Sequence, residues 1–116
     1  MEFNFTPRCK IWMVKDGQKV FGDGPCDILN RIKRTGSLRM AASEINMSYS
    51  QAWQLITTLE KKIGFPLLIK KAGGDSGGGS ILTEEGEELV RRYECFRREA
   101  GEALRQIFAR HFLRGE

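Results

Sequence analysis

Between residues 37 and 63 the chain carries two helical patterns that stand almost end to end. In the first, Ser37 is a favourable N-cap, and the apolar residues that recur at spacings of three and four are Leu38, Ala41, Ala42 and Ile45. Only two residues follow before Ser48, whose spacing from Gln51 is that of a capping box and predicts a new helix start. Two short helices joined by so tight a turn are typical of a helix-turn-helix.

The second of these helices has an apolar stripe, and a separate face that is polar without being acidic. The stripe consists of Ala52, Ile56, Leu59 and Ile63, and the polar face of Ser50, Gln54, Thr57 and Lys61. A helix with such a face can enter the major groove of DNA, and glutamine is the better bidentate partner for adenine. The predicted groove-facing residues are Ser48, Tyr49, Ser50, Gln51 and Gln54.

Two aromatic residues of this helix require an interpretation. Trp53 borders the apolar stripe and is interpreted as a packing residue, because duplex DNA offers no free base face for stacking. Tyr49 stands at the helix start, where two roles remain open. Its hydroxyl group can bond a phosphate or a base edge, or its ring can shield the turn.

The flanking segments complete a single α+β domain over residues 1–116. Residues 9–22 contain β-formers on either side of an Asp16-Gly17 turn signal and predict a β-hairpin. Pro25, as the first helical residue, and Gly36, as the terminating glycine, bound a helix over 25–36. Residues 67–83 contain two short strand candidates and predict a wing, and Thr83 caps a long helix over 84–113.

The wing contains the glycine-rich loop GGDSGGGS. From Gly73 to Ser80 this loop fits the phosphate-binding loop of nucleotide-hydrolysing enzymes except that Gly79 replaces the essential lysine, so no enzyme is predicted. Glycines without Cβ atoms instead allow a close approach of the wing backbone to DNA phosphates. The predicted phosphate contacts are Arg39, Lys61, Lys62, Lys70, Lys71 and the backbone of Gly73, Gly74, Gly77, Gly78 and Gly79.

The charge distribution supports a polyanionic partner. Residues 25–71 contain eight basic and three acidic residues, a local charge of +5, whereas the remainder from residue 72 carries −2. A helix-turn-helix also occurs in modules that bind other proteins and never touch DNA, and this alternative stays open. A steep loss of affinity with salt would distinguish DNA binding from it.

The long helix carries a wider apolar stripe than an exposed monomeric helix tolerates, which predicts a homodimer. The predicted interface residues are Leu89, Tyr93, Phe96, Ala100, Ala103, Leu104, Ile107 and Phe108. Three separated cysteines and a single histidine, His111, predict reduced thiols, no metal site and no cofactor. Without a membrane span or a signal pattern, the expected location is the cytoplasm.

The segment TGSLRMAASEINMSYSQAW, the loop GGDSGGGS and the following ILTEEG together resemble the N-terminal DNA-binding domain of molybdate-responsive regulators of the ModE type, relatives of LysR-type winged helices. The resemblance covers roughly residues 26–89, and the pairs Ser48-Tyr49 and Ala52-Trp53 with the glycine-rich wing are its most diagnostic features. It implies a homodimeric transcription factor whose second helix of the helix-turn-helix reads successive half-sites. In that family molybdate binds an appended C-terminal domain, so molybdate is not expected to bind this chain.

Overall fold

Two β-hairpins flank three short helices, and a long helix follows, in the part of the chain that the structure describes. This structure is a computed structural model that describes residues 1–71 and 79–113. The elements are β1 (Trp12–Lys15), β2 (Gln18–Gly22), α1 (Asp23–Thr35), α2 (Leu38–Glu44), α3 (Tyr49–Ile63), β3 (Leu68–Lys70), β4 (Ser80–Leu82) and α4 (Glu84–Phe112). This architecture is the predicted α+β winged helix-turn-helix, with an N-terminal hairpin and a long C-terminal helix.

The first hairpin turns at Asp16 and Gly17, which both adopt positive φ angles (52° and 78°). Such angles match the right-handed twist of the two strands, and for this reason the Asp-Gly pair favours this turn. β1 and β2 pair antiparallel, with a register shift between Met13 and Val14. The hairpin is fixed to the body by Phe21, which is buried and packs edge-to-face on a ring of α4.

α1 begins two residues earlier than Pro25 suggests. Its first helical residue is Asp23, so Pro25 occupies the third position, where its missing N–H group is also not needed by the helix. The helix ends at Gly36, whose φ of 73° is left-handed and whose N–H donates to Ile32 O over 2.7 Å. The prediction of a start at Pro25 is therefore wrong, and the prediction of a glycine terminator is right.

The helix-turn-helix is held together by small buried residues. Ala41, Ala42 and Ala52 are fully buried, which lets α2 and α3 approach closely. Between them Asn46 adopts φ 56°, a left-handed conformation that asparagine tolerates better than most residues. The N–H of Met47 then donates to Ala42 O over 2.9 Å and closes the turn.

The second hairpin, the wing, is docked on both sides. Leu68 pairs with Leu82 and Lys70 with Ser80, and the Ser80 N–H donates to Gly36 O over 2.9 Å. On the other side Thr83 Oγ1 caps α4 by accepting from the Gly86 N–H and donates to Pro66 O. The base of the wing is therefore fixed to the end of α1 and to the start of α4.

α4 contributes to the core only near its start. Its buried residues are Gly86, Val90 and Tyr93, all in the first ten positions of a 29-residue helix. At about 1.5 Å per residue the helix is about 44 Å long, so most of it lies beyond the core. The radius of gyration, 18.1 Å, exceeds the ~13 Å typical of a compact chain of this length for the same reason.

Candidate nucleic-acid interface

The start of α3 is fixed by the capping box that the sequence predicts. Ser48 Oγ accepts from the Gln51 N–H (3.1 Å), and Gln51 Oε1 accepts from the Ser48 N–H (3.0 Å). These bonds satisfy backbone donors that a helix start otherwise leaves free. They also use the side-chain oxygen of Gln51, so this residue is less suited than a free glutamine to pair with adenine through its oxygen and nitrogen together.

The polar face of α3 is open to solvent. Ser50, Gln54 and Lys61 are exposed, and Thr57 is half-buried between them. The amide nitrogen of Gln54 donates to Thr58 Oγ1 at 3.3 Å, a long bond within an exposed helix. Because such a bond is weak and Gln54 Oε1 has no role in the capping box, Gln54 is the glutamine best placed for a base edge.

Two aromatic rings on successive turns of α3 hold basic side chains over this surface. The ammonium group of Lys70 lies 4.2 Å from the ring centroid of Trp53 and 5.8 Å from that of Tyr49. The guanidinium carbon of Arg39 lies 4.5 Å from the Tyr49 centroid. Cation–π contacts of this kind restrict the two cations without neutralising them.

The position of Trp53 corrects the interpretation made from the sequence. Its side chain is 38% exposed and borders the wing, so it is not a core packing residue. One residue after Ala52 the helix has turned by about 100°, which takes the ring off the buried stripe and towards Lys70. The ring of Tyr49 packs partly against the core, which supports the shielding role, and it also carries Arg39. A bond from its hydroxyl group to a phosphate or a base edge stays a prediction.

A groove of about 600 Å³ opens between α2, the start of α3 and the base of the wing, and we call it the recognition groove. Its basic residues are Arg39, Lys70 and Lys71, and no carboxylate lines it among the described residues. The groove is continuous with Tyr49 at the start of α3. Its basic lining suits a phosphate backbone beside a helix in the major groove.

Ion pairs on α1 change the account of the basic middle segment. Glu44 accepts from Arg31 (2.9 Å) and from Arg34, and Lys33 lies 3.8 Å from Glu87. The hydrogen bonds from Arg34 and Arg31 lower the pKa of the Glu44 carboxyl group. Three of the eight basic residues counted from the sequence are therefore paired inside the chain, away from the recognition groove.

Glu60 has a role that sequence reasoning missed. Its Oε2 atom accepts from the backbone N–H groups of Leu67 (2.7 Å) and Leu68 (3.2 Å), which start the wing. The carboxylate thus fixes the wing to α3. A glutamate eight residues before the strand gives little sequence signal, because only the fold brings the two together.

The predicted phosphate contacts do not form one set. Lys61 shares the exposed face of Gln54, whereas Lys62 lies on the opposite flank, beside the first hairpin. Gly79 approaches the chain itself, since a Cβ atom there would lie 2.8 Å from Gly36 O, so its close contact is with its own backbone. Gly73, Gly74, Gly77 and Gly78 lie outside the described residues.

The predicted dimer residues of α4 separate into three groups. Tyr93 is 3% exposed and packs on Phe21, so its assignment to a dimer surface is wrong. Leu89 also packs against the chain's own core. Leu104 and Phe108 lie where the N-terminal segment runs along the helix. The remaining residues form one apolar seam, in which Ala100 is half-buried and the other three are exposed, consisting of Phe96, Ala100, Ala103 and Ile107.

The course of the N-terminal segment explains this separation. Arg97 donates to Cys9 O over 2.8 Å, and Phe3 packs edge-to-face on Phe112, so residues 3–9 run antiparallel to α4. Phe112 in turn stacks on Phe108. Over residues 1–71 and 79–113, the chain shows no cluster of metal-ligating side chains and no helix suited to spanning a bilayer.

The comparisons with known proteins agree with this geometry. Residues 26–87 match the bacterial regulatory helix-turn-helix protein family, lysR. The chain is similar to the molybdenum transport protein ModE of Azotobacter vinelandii, with 36% identity over 72% of this chain and 31% of that protein. It is also similar to the DNA-binding transcriptional dual regulator ModE of Escherichia coli K12, with 32% identity over 66% of this chain and 30% of that protein.

A solved structure gives the same result for the fold. The crystal structure of ArgP from Mycobacterium tuberculosis superposes with a TM-score of 0.52 at 26% identity, over 73% of this chain and 30% of that one. The chain thus spans only about a third of the length of the relatives it matches. On the family match over residues 26–87, the chain belongs to the lysR family of bacterial regulatory helix-turn-helix proteins.

Proposed function

We propose that the protein is a sequence-specific transcriptional regulator that binds double-stranded DNA as a homodimer. In this proposal α3 enters the major groove and the wing lies on the sugar-phosphate backbone. The observation that supports it most is the open polar face of α3 beside the recognition groove. Ser50 and Gln54 are exposed on that face, and the groove next to it has a basic lining.

The arrangement divides the work between two kinds of contact. Gln54 is the candidate for direct readout of a base, and Ser50 can bond either a base edge or a phosphate. Arg39, Lys70 and Lys71 provide affinity without sequence information, because phosphates are alike along the duplex. The aromatic rings that hold Arg39 and Lys70 reduce the conformational freedom that these side chains lose on binding.

The homodimer is proposed from the seam on α4. Phe96 is 50% exposed and Ile107 is 44% exposed, and Ala100 and Ala103 between them allow a second helix to approach closely. A symmetric pair would set the two copies of α3 about 34 Å apart and would require a palindromic operator. The relatives named above include DNA-binding and transcriptional regulators, and a regulator of this kind works in the cytoplasm with the chromosome.

Selection from a random duplex library tests the readout. The wild type is expected to enrich a palindromic motif, and Gln54→Ala to lose the preference at one position in each half-site. Gln106→Ala, which removes an exposed glutamine from α4, is the matched control and should leave the motif unchanged. Equal losses on the selected duplex and on random duplex from Gln54→Ala would contradict the assignment of this residue.

Salt dependence tests the phosphate contacts. If Arg39, Lys61, Lys70 and Lys71 each neutralise one phosphate, a dimer makes eight such contacts, and the log–log salt slope is about −7. Lys70→Ala should weaken binding to all sequences alike and make that slope less steep by about 2. Lys33→Ala, which removes a lysine of α1 that lies near Glu87 of α4, should change neither the affinity nor the slope. A flat salt profile in the wild type would favour a protein-binding module and overturn the proposal.

The dimer is tested separately by the mass of the protein in solution. Ile107→Asp places a charge in the seam and should convert the dimer to a monomer, because an unpaired buried carboxylate is costly. Val14→Asp changes an exposed apolar residue on β1, outside the seam, and should leave the mass unchanged. A wild-type monomer at micromolar concentration, or an Ile107→Asp dimer, would refute the seam as the interface.

A further inference from the structure

A second cavity, distinct from the recognition groove, lies between the first hairpin, the start of α1 and the flank of α3, and we call it the hairpin pocket. Its volume is about 340 Å³, which is within the usual range for small-molecule sites. β2 and α3 form its walls, and its apolar lining residues include Ile11, Trp12, Phe21, Pro25, Leu55 and Leu59.

The rim of the hairpin pocket is positively charged. Lys10, Lys19 and Lys62 line it from three different segments of the chain. The ammonium group of Lys19 lies 4.5 Å from the ring centroid of Trp12, so one cation is held at the edge of the apolar wall. Lysines from three separate segments thus lie at one cavity, an arrangement that suits an anionic ligand.

Among the described residues that line the hairpin pocket, one carries a carboxylate, and this group already has partners. Asp23 lines the cavity, but its Oδ1 atom accepts from the Tyr93 hydroxyl group and from Arg97 Nε over 3.1 Å. These partners, together with Lys10, lower the pKa of the Asp23 carboxyl group and hold its charge on the α4 side. Asp23 therefore offsets part of the charge of Lys10, whereas Lys19 and Lys62 are the lysines of the rim that a ligand would meet.

We propose that the hairpin pocket binds a small organic anion with an aromatic or branched aliphatic body and a single carboxylate or sulfonate group. The apolar body would lie against Trp12, Leu55 and Leu59, and the anionic group would lie at the lysine rim. Leu55 is 37% exposed, and Trp12 is half exposed, so a ligand there would remove apolar surface from water. A DNA backbone has no apolar group that would pack against this wall, so DNA would leave the wall exposed to water. In this respect the hairpin pocket differs from the recognition groove.

This site does not depend on the proposed DNA binding, and the two can fail independently. The pocket uses Lys62 and Leu55 of α3, which lie on its hairpin flank, whereas the proposed base contacts use Ser50 and Gln54 on its outer face. A test of the pocket therefore needs no DNA and no knowledge of the operator.

The experiment titrates naphthalenesulfonate into the isotope-labelled chain and follows amide and indole resonances by NMR. Saturable shifts are expected at the Trp12 indole and at the amides of Leu55 and Thr58, all at the hairpin pocket. Naphthylmethanol, which is neutral, and naphthylmethylammonium, which is cationic, should bind at least about tenfold more weakly, because neither supplies the charge that the lysines complement.

Two variants locate the site. Leu55→Glu puts a carboxylate into the apolar wall and should weaken naphthalenesulfonate binding about tenfold or more. Ile69→Glu, on an exposed apolar residue of β3 away from the hairpin pocket, should leave the binding unchanged. Equal binding of the neutral and anionic probes would overturn the proposal. So would shifts centred on the α4 seam, the absence of saturation, or undiminished binding by a folded Leu55→Glu variant.

Discussion

Removing the carboxylate of Glu60 should destabilise the protein more than any ordinary surface substitution. In the folded chain Glu60 Oε2 accepts two backbone hydrogen bonds, from the Leu67 N–H at 2.7 Å and from the Leu68 N–H at 3.2 Å. Hydrogen bonds to charged groups contribute roughly 1.5–3 kcal/mol each, and the longer bond contributes less. Because Leu67 is buried, its N–H would also lose the acceptor that it has among the described residues. Glu60→Ala should therefore lower the free energy of unfolding by about 2–4 kcal/mol.

Urea denaturation followed by circular dichroism measures this loss, with two controls. Glu60→Gln keeps an oxygen that can accept both bonds but removes the charge, so it should cost about 1 kcal/mol. Glu102→Ala removes an exposed glutamate from α4 and should change stability by less than about 0.5 kcal/mol. A cost below about 1 kcal/mol for Glu60→Ala, or equal costs for the alanine and glutamine variants, would refute this account of the wing.

Three further predictions concern local stability. Gly86→Ala should destabilise the fold by about 1–3 kcal/mol in thermal unfolding, because the added Cβ atom would lie 2.7 Å from Leu67 O. A cost near zero would mean that the first turn of α4 and Leu67 move apart without strain. Burial raises the pKa of the Cys26 thiol from 9.0 to about 11. The free energy of unfolding should therefore fall between pH 9 and pH 11, by at most about 1.4 kcal/mol per pH unit, because the thiol ionises more readily in the unfolded chain. Cys26→Ala should remove this decrease. The hydrogen bond from Tyr93 lowers the pKa of the Asp23 carboxyl group below 3.8. The ionised carboxylate therefore stabilises the fold above pH 3.8, and this stabilisation should be lost as the pH falls through the lowered pKa. Asp23→Asn should reduce the loss of stability at acid pH.

The chain's own local signals decided where most elements begin and end. The Ser48–Gln51 capping box, the Asp16-Gly17 turn and the terminating Gly36 each act over a few residues, so spacing alone sufficed to find them. The winged helix-turn-helix follows from their order, because two short helices with a tight junction and a hairpin after them have few ways to pack.

Other features depend on residues that are distant in the sequence, and only the tertiary structure decided them. Charge counting could not show that Arg31 and Arg34 pair with Glu44, because the pairing requires α1 and α2 to cross. The apolar pattern of α4 predicted that Tyr93 lies on a dimer surface, whereas Phe21 of β2 covers it within the same chain. Periodicity identifies the face of a helix that is apolar, but which neighbour covers that face is set by the packing of distant segments.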